Sequence, residues 1–362
     1  MTQRDCFPFQ MGGAGISAHS LLNYLTTRGH KCLALGVLGK GFDEIKSRID
    51  VLEKEHTPFK FITNYTRLGN YEIPKDCHLV LNFGYESKLT MLYNFDKFFA
   101  SEAINFKPDL VITQMMGSGL AVKFSFNKGI PCAHLIRDVD TIYNLEPFFL
   151  EEKYLNYPDI FSNSKFVQKE FLKRHKRKSL VLYPSIKTDN YLLDNRDPKY
   201  ITFVNPHTRK GLEIFIKIAE MMPEYKFLVV EGWGKTPKTS PINNMRNVTI
   251  MPNQLDMREV YKMTKILIVP SVWQEAFARV VVEAQVGGIP VIAGRHSGLI
   301  ESVGSGGILL DEYLDADSWV KVINDLQLHN AKYKLLSKRA VENAKKFDIT
   351  NTVKDFCEKY EL

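Results

Sequence analysis

Glu275 and Glu283 stand eight positions apart in SVWQEAFARVVVEAQVGGIPVIAG, residues 271–294. An apolar run, ILIVP (266–270), leads into this stretch and a second, PVIAG (290–294), leads out. The pattern reads strand, loop, helix, strand. That is one parallel βαβ unit with its acidic side chains at the carboxyl end of the first strand, the edge where open α/β sheets bind ligands. If most of the interval is helical, the carboxylates lie roughly 10–12 Å apart at about 1.5 Å per residue. They are then turned about 80° from each other, at about 100° per residue. Such a pair cannot share one metal ion or one proton, and must serve separate parts of a long ligand. Between the two, the backbone N–H groups of Phe277, Ala278, Arg279 and Val280 open the helix, where orphan donors and the helix dipole favour an anion such as a phosphate. Polyol, phosphate, polyol is the outline of a nucleotide sugar. Taken alone, the pair reads equally as a cap and a solvated helix residue.

The segment resembles the E-x7-E signature of the retaining, nucleotide-sugar-dependent glycosyltransferases of the large fourth family, whose fold of two Rossmann-like domains is called GT-B. The flanks ILIVPS and GGIPVIAGRHSGLIE belong to the resemblance, as do FSNSKFVQKEF (161–171) and LVLYPSIKTDNY (180–191). It implies that Glu275 meets the hydroxyls of the donor hexose and Glu283 the ribose diol, with the amides around Ala278 and Arg279 on the diphosphate. The family usually has glycine where this chain has Ala278.

Three further constellations acquire roles from the same resemblance. TRKG (208–211) follows the apolar run YITFV and opens a helical pattern, so Arg209 and Lys210 fall at a carboxyl edge of the second half. The family keeps an Arg and a Lys there to neutralise the leaving diphosphate. Its usual G-R-x4-K-G is V-N-P-H-T-R-K-G here, so Lys210 carries over directly and the arginine is displaced beside it. Gly12 and Gly13 correspond to a glycine pair that lets the backbone approach the donor diphosphate; a plain tight turn is the other reading. Residues 13–18 also match G-x-G-x-x-A, but no acidic residue follows at the distance a dinucleotide site requires. Arg137, ending PCAHLI, occupies the place of a histidine that meets the donor sugar, and a cation there would suit a phosphate or an acidic acceptor group. Asn253, between Pro252 and Gln254, falls where relatives bind the base. Asp138-Val139-Asp140 matches D-x-D, a metal motif of a different glycosyltransferase architecture, and carries little weight. No metal or other cofactor is expected; the nucleotide sugar is a co-substrate.

The elements that must position these residues follow from periodicity. Aliphatic runs at 32–37, 59–63, 78–83, 109–113, 131–136, 159–163 and 179–183 alternate with helical patterns, and runs at 200–204, 226–231, 247–251, 266–270, 290–294 and 306–310 repeat the arrangement. Strands alternating with helices mean parallel sheets covered on both faces. The expected architecture is α/β: two Rossmann-like, doubly wound, parallel-sheet domains facing across a cleft. Residues 1–183 form the acceptor domain, the turn-rich 184–199 a linker, 200–346 the donor domain, and 347–362 a helix crossing back to the first domain. The glycine-rich loop at 12–15 wants a strand before it, yet residues 1–6 are short and polar. Either that strand is stunted or the native chain starts upstream of Met1, and the second is the expectation.

At 362 residues, 44% of them hydrophobic and 25% charged, the chain can bury two cores. Five cysteines, at 6, 32, 77, 132 and 357, lack C-x-x-C spacing, which argues for a reducing cytosol over a disulfide framework or zinc site. No apolar run reaches the ~18 residues of a membrane span, and MTQRDCFPFQ lacks the features of a signal peptide. The net charge of +7 has a visible source in KRHKRK. Lys173, Arg174, Lys176, Arg177 and Lys178 form a solvated face or a contact with an anionic partner, either a membrane's inner surface or a pyrophosphate-linked acceptor lipid. No nucleic-acid motif accompanies them. The expected activity is transfer of a hexose from a nucleoside diphosphate sugar, UDP-glucose by family frequency, to a saccharide or lipid-linked acceptor in polysaccharide or glycoconjugate synthesis. A sugar-nucleotide epimerase or phosphorylase on the same fold, or a silent nucleotide-sugar-binding subunit, are the alternatives.

Overall fold

The computed structural model describes residues 1–3, 12–37, 59–68, 71–90, 95–114, 118–143, 152–232, 236–254 and 256–362. The first half holds strands β1 (Thr2–Gln3), β2 (Leu33–Val37), β3 (Phe59–Leu68), β4 (Tyr71–Asn82), β5 (Glu86–Thr90), β6 (Val111–Thr113), β7 (Cys132–Ile136), β8 (Asp159–Ser162) and β9 (Leu180–Val181). The second half holds β10 (Tyr200–Val204), β11 (Phe227–Val230), β12 (Val248–Met251), β13 (Thr264–Val269), β14 (Val291–Gly294) and β15 (Gly307–Leu310). They form two sheets, ordered β3-β4-β5-β2-β1-β6-β7-β8-β9 and β12-β11-β10-β13-β14-β15.

The second sheet is parallel throughout. Its strands are aliphatic on both faces, and alternate residues serve opposite layers, as the two-residue pleat requires. Ile201, Phe203, Phe227, Ile266 and Ile268 pack with the helix Leu212–Met221 and with Trp319. Leu228, Val230, Leu267 and Val269 face the other way, against Val281 and Ala284 of the helix Arg279–Val286.

The first sheet departs from the expected parallel pattern at one edge. The pairs β3–β4 and β4–β5 are antiparallel, and β5 was not legible as a strand. A parallel connection needs a crossover of a dozen residues or more, whereas antiparallel strands close through a short turn. Residues 83–85 make that turn, with Gly84 at φ +87° and its N–H donating to Asn82 Oδ1 at 3.0 Å. From β5 to β9 every pairing is parallel. The strand wanted before the glycine-rich loop is present as the two-residue β1, which sits between β2 and β6 at the sheet centre.

The chain passes between the sheets twice. Residues 184–199 are not a free linker: Ile186 bridges to Asp348, accepts from the Ile349 N–H at 2.7 Å, and Thr188 donates to Asp348 Oδ2 through both N–H and Oγ1. The final segment is two short helices, Ile349–Thr352 and Lys354–Tyr360. Ile349, Val353 and Phe356 pack against Leu21, Leu25, Phe161 and Leu182 of the first half. Of the cysteines, Cys32, Cys132 and Cys357 are free thiols, and Cys6 lies outside the described residues. No described helix is long and apolar enough to cross a membrane.

Candidate functional site

In both sheets the order of the parallel strands reverses near the middle, between β1 and β6 in the first and between β10 and β13 in the second. Loops leaving neighbouring strands at such a switch point diverge and leave a crevice. The two crevices contribute to one cleft of about 920 Å³. Glu275, Arg209, Lys210, Gly12, Gly13, Arg137, Asn253, Phe277, Ala278, Arg279, Val280 and Glu283 all line it.

On the second sheet, the loop after β10 meets the loop after β13. Lys210 Nζ donates to Glu275 Oε1 at 2.6 Å, and Ser271 Oγ donates to the same oxygen at 2.5 Å. Glu275 is buried, so a carboxylate there needs both partners. Gly211 makes the approach possible: its φ is +85°, and a Cβ would stand 1.9 Å from the Pro270 carbonyl oxygen. Gly298 has a like role, since a Cβ there would lie 2.1 Å from the Ala276 oxygen, and its N–H donates to the Glu275 carbonyl at 2.8 Å. Arg209 reaches across to the first half, its guanidinium 4.2 Å from the centre of the Trp273 ring and its Nη1 3.6 Å from Asp140 Oδ2.

Helix covers only the second part of the interval between the glutamates, from Arg279, so the all-helical spacing does not apply. The N-terminal donors therefore begin at Arg279 rather than Phe277, whose ring is buried against Tyr183 and Phe347. Ala278 precedes the helix at φ +66°, ψ +79°, a left-handed conformation that costs an L-residue with a Cβ and suits glycine.

Glu283 is 4% exposed and held on three sides. Arg279 Nε and Tyr191 OH donate to Oε1 at 3.0 and 3.2 Å, and Tyr261 OH donates to Oε2 at 3.0 Å. Burial, then the Glu283 charge, pushes both tyrosine hydroxyls upward, so they remain protonated donors. Burial opposes the Arg279 cation, but Tyr191 and Glu283 outweigh it and its pKa is raised. Arg279 Nη1 continues to Ser17 Oγ at 2.9 Å and to the Ser185 carbonyl at 2.7 Å. Gly13 lies under this side chain, where a Cβ would come within 3.2 Å of Arg279 Cδ. The close approach that needs a glycine at this position is thus made by Arg279.

The first sheet supplies Gln114, Arg137 and Asn163, each the first residue beyond β6, β7 and β8. Arg137 Nε donates to Gln114 Oε1 at 2.9 Å, Gln114 Nε2 to the Ala14 carbonyl at 3.3 Å, and Asn163 Nδ2 to the Arg137 carbonyl at 2.8 Å. Asn253 is exposed at the rim. Asp138 of the D-x-D triplet is committed locally, accepting from Thr141 N–H and Oγ1 at 2.6 and 2.5 Å. In the basic run, Lys173, Arg174, Lys176 and Lys178 are exposed. Arg177 is turned inward onto the carbonyls of Leu155 and Pro158, which removes it from that surface.

Ser271, Trp273, Tyr191, Tyr261, Gln114 and Asn163 belong to the site and were not singled out from sequence. Ser271 and Trp273 lie inside the E-x7-E segment, and the rule that the residue after a strand end faces the cleft would have found Gln114 and Asn163. Tyr191 and Tyr261 carried no such signal.

Comparison with known proteins fits this geometry. Residues 186–347 match the family model described as "Glycosyl transferases group 1". The chain is 29% identical over 172 residues to a D-inositol 3-phosphate glycosyltransferase of Mycobacterium marinum, covering 43% of this chain and 36% of the relative. It is 34% identical over 119 residues to the protein of the same name from Rhodococcus opacus, covering 32% and 26%. The matched segments thus span only about a quarter to a third of the curated relatives' own length. Among solved structures, Anabaena HepE in complex with UDP-glucose superposes with a TM-score of 0.73 at 17% identity, over 99% of this chain and 98% of that one. WaaG, a glycosyltransferase involved in lipopolysaccharide biosynthesis, gives 0.66 at 14%, over 99% and 98%. These likenesses identify the fold as GT-B, and the resemblance to the glycosyl transferases group 1 family is carried by residues 186–347.

Proposed function

We propose that this chain transfers a hexose from a nucleoside diphosphate sugar to a hydroxyl of a saccharide or lipid-linked acceptor, with retention of configuration. The observation that carries the reading is the Lys210–Glu275 contact at 2.6 Å, made between the two loops of a switch point inside the family-matched segment. Glu275 would take the hexose hydroxyls, exchanging part of its contact with Lys210 for them. Glu283 would take the ribose diol on its free lone pairs. The diphosphate would lie between, over the amides of Arg279 and Val280 and against Lys210 and Arg209. As the bond from the anomeric carbon to the phosphate oxygen opens, negative charge develops on that oxygen. The fixed cations and amides stabilise it there, commonly the largest catalytic contribution. The same phosphate oxygen accepts the proton of the incoming hydroxyl, so the chemistry assigns no step to a metal ion.

UDP-glucose is the donor we put first, since HepE structures of this fold hold UDP and UDP-glucose. A polyol phosphate or a lipid-linked saccharide is the acceptor class, in line with the names of the inositol phosphate transferases and WaaG. Lys173, Arg174, Lys176 and Lys178, with Leu172 and Leu180 exposed beside them, form the face we assign to an anionic membrane.

Product analysis with radiolabelled UDP-glucose, with and without acceptors and chelator, tests the reading. Label should pass to an acceptor in the α configuration and survive chelation. An isomerised nucleotide sugar without acceptor would mean an epimerase, and nucleotide binding without turnover a silent subunit.

A further inference from the structure

Most charges in the cleft are balanced within the protein. Lys210 pairs with Glu275, Arg279 with Glu283, Arg258 with Asp256, and Arg209 with Asp140. Arg137 is different. It is 8% exposed, its one side-chain hydrogen bond goes to the neutral Gln114, and its Nη2 is buried with no partner. Among the described residues it is the buried cation of the cleft that no carboxylate faces. Burial, and then Arg279, lower its pKa to about 9, which still leaves it charged at neutral pH.

Beside it, Asn163 is 5% exposed, and its Oδ1 is likewise buried without a partner. Its Nδ2 is held by the Arg137 carbonyl, which fixes which way the amide points. Buried polar atoms are almost always satisfied, and an unpaired buried cation is costly. Here one unmatched donor on a cation and one unmatched acceptor belong to hydrogen-bonded neighbours that both line the cleft. Their places follow from the fold: Gln114, Arg137 and Asn163 end three successive parallel strands, β6, β7 and β8, on the first sheet. The residues offered to the diphosphate, Lys210, Arg209 and the amides after Ala278, all stand on the second.

We propose that Arg137 and Asn163 form an anion subsite for a carboxylate or phosphate carried by one of the two sugar substrates, apart from the donor's diphosphate. Arg137 Nη2 donates to the anionic oxygen. Asn163 Oδ1 accepts from a neighbouring hydroxyl, which selects sugar acids and polyol phosphates over bare anions. The inference rests on the nucleotide-sugar reading above, and deepens it by stating that one substrate is charged beyond the diphosphate.

Paired titrations of the full chain test this. UDP-glucuronic acid against UDP-glucose probes the donor as the source of the anion. D-inositol 3-phosphate against inositol, with and without UDP, probes the acceptor, and inorganic phosphate serves as a generic anion. The charged member of one pair should bind about tenfold more tightly, the factor expected of a charge-assisted hydrogen bond. Arg137→Gln should erase that preference without lowering the melting temperature, because it removes an uncompensated charge. Asn163→Asp fills the subsite from within and should erase it too, which keeps the test open if Arg137→Gln fails to fold. No preference in either pair and no effect of inorganic phosphate, or a preference that survives both substitutions, overturns the proposal. Failure to bind any nucleotide overturns the transferase reading instead, and the inositol pair without UDP still decides this one.

Discussion

Arg279 Nε donates to Glu283 Oε1 at 3.0 Å across one helical turn, and the same guanidinium reaches Ser17 Oγ of the opposite half at 2.9 Å. One side chain therefore orients a carboxylate assigned to the nucleotide and ties the two sheets together. Breaking a buried pair from one side leaves the other charge stranded. Arg279→Met should cost about 3–5 kcal/mol in urea unfolding, and adding Glu283→Gln should recover a large part of it. Equal losses in the single and double variants would show that Glu283 does not depend on Arg279.

Glu275→Ala should lower transfer at least about a hundredfold, the scale of losing a stabilising group in the reacting centre, while UDP affinity changes little. Glu283→Gln should do the opposite, weakening UDP binding by about tenfold with less effect on turnover at saturating donor. Isothermal titration and initial rates separate the two. A Glu275→Ala enzyme with ordinary turnover would refute the assignment of both.

Ala278 holds φ +66°, and a Cβ in the left-handed region costs roughly 1–2 kcal/mol. Ala278→Gly relieves this at some cost in unfolded-chain entropy, for a net gain of up to about 1 kcal/mol. Ala278→Val should instead destabilise. Denaturation midpoints of the three proteins should order Gly, Ala, Val from most to least stable, and any other order removes the strain argument.

Gly211→Ala should be among the most damaging single-methyl changes in the chain. The added carbon meets the Pro270 oxygen at 1.9 Å, so the loop carrying Lys210 must shift. A loss of about 2–3 kcal/mol or more, with turnover falling further than stability explains, is the expected result. Near wild-type values for both would mean that the loop yields without moving Lys210.

One buried histidine, His134, and one partly buried, His19, set a pH dependence. Burial, then Arg177 and Arg137, lowers His134 to about 3, and burial lowers His19 to about 4. The unfolded chain takes up protons near pH 6.5 that the folded chain refuses. The stability these rings allow is therefore complete above pH 6.5 and is lost as pH falls through it toward 4 and 3. Each ring should contribute about 2 kcal/mol of loss between pH 7 and 5. A urea midpoint that stays flat over that range, or in the wild type matches a His134→Gln variant, would contradict this.

Legibility in the sequence followed the range of the interaction. The second sheet could be read because each of its strands is an aliphatic run and most of its crossovers carry a helical pattern. Glu275, Lys210 and Ala278 could be read because motif spacing is local. The meander of β3, β4 and β5 could not, since direction there depends on turns rather than on composition. Nor could Tyr191 and Tyr261 be matched to Glu283, because the contacts form between distant segments. Arg137 was visible as an unusual residue at a strand end, but its solitude among paired charges appears only when the partners of every other cation are known.

Ile186 and Asp348 sit side by side, and the segment matched by the family model runs from 186 to 347. The second half thus leaves the chain and rejoins it at adjoining points, as an appliance plugged in by a two-pin connector. Two cuts, close in space though far apart in sequence, would free it whole. A half from another protein of this fold can be spliced at the same two points, provided that it brings an equivalent of Arg279 to meet Ser17.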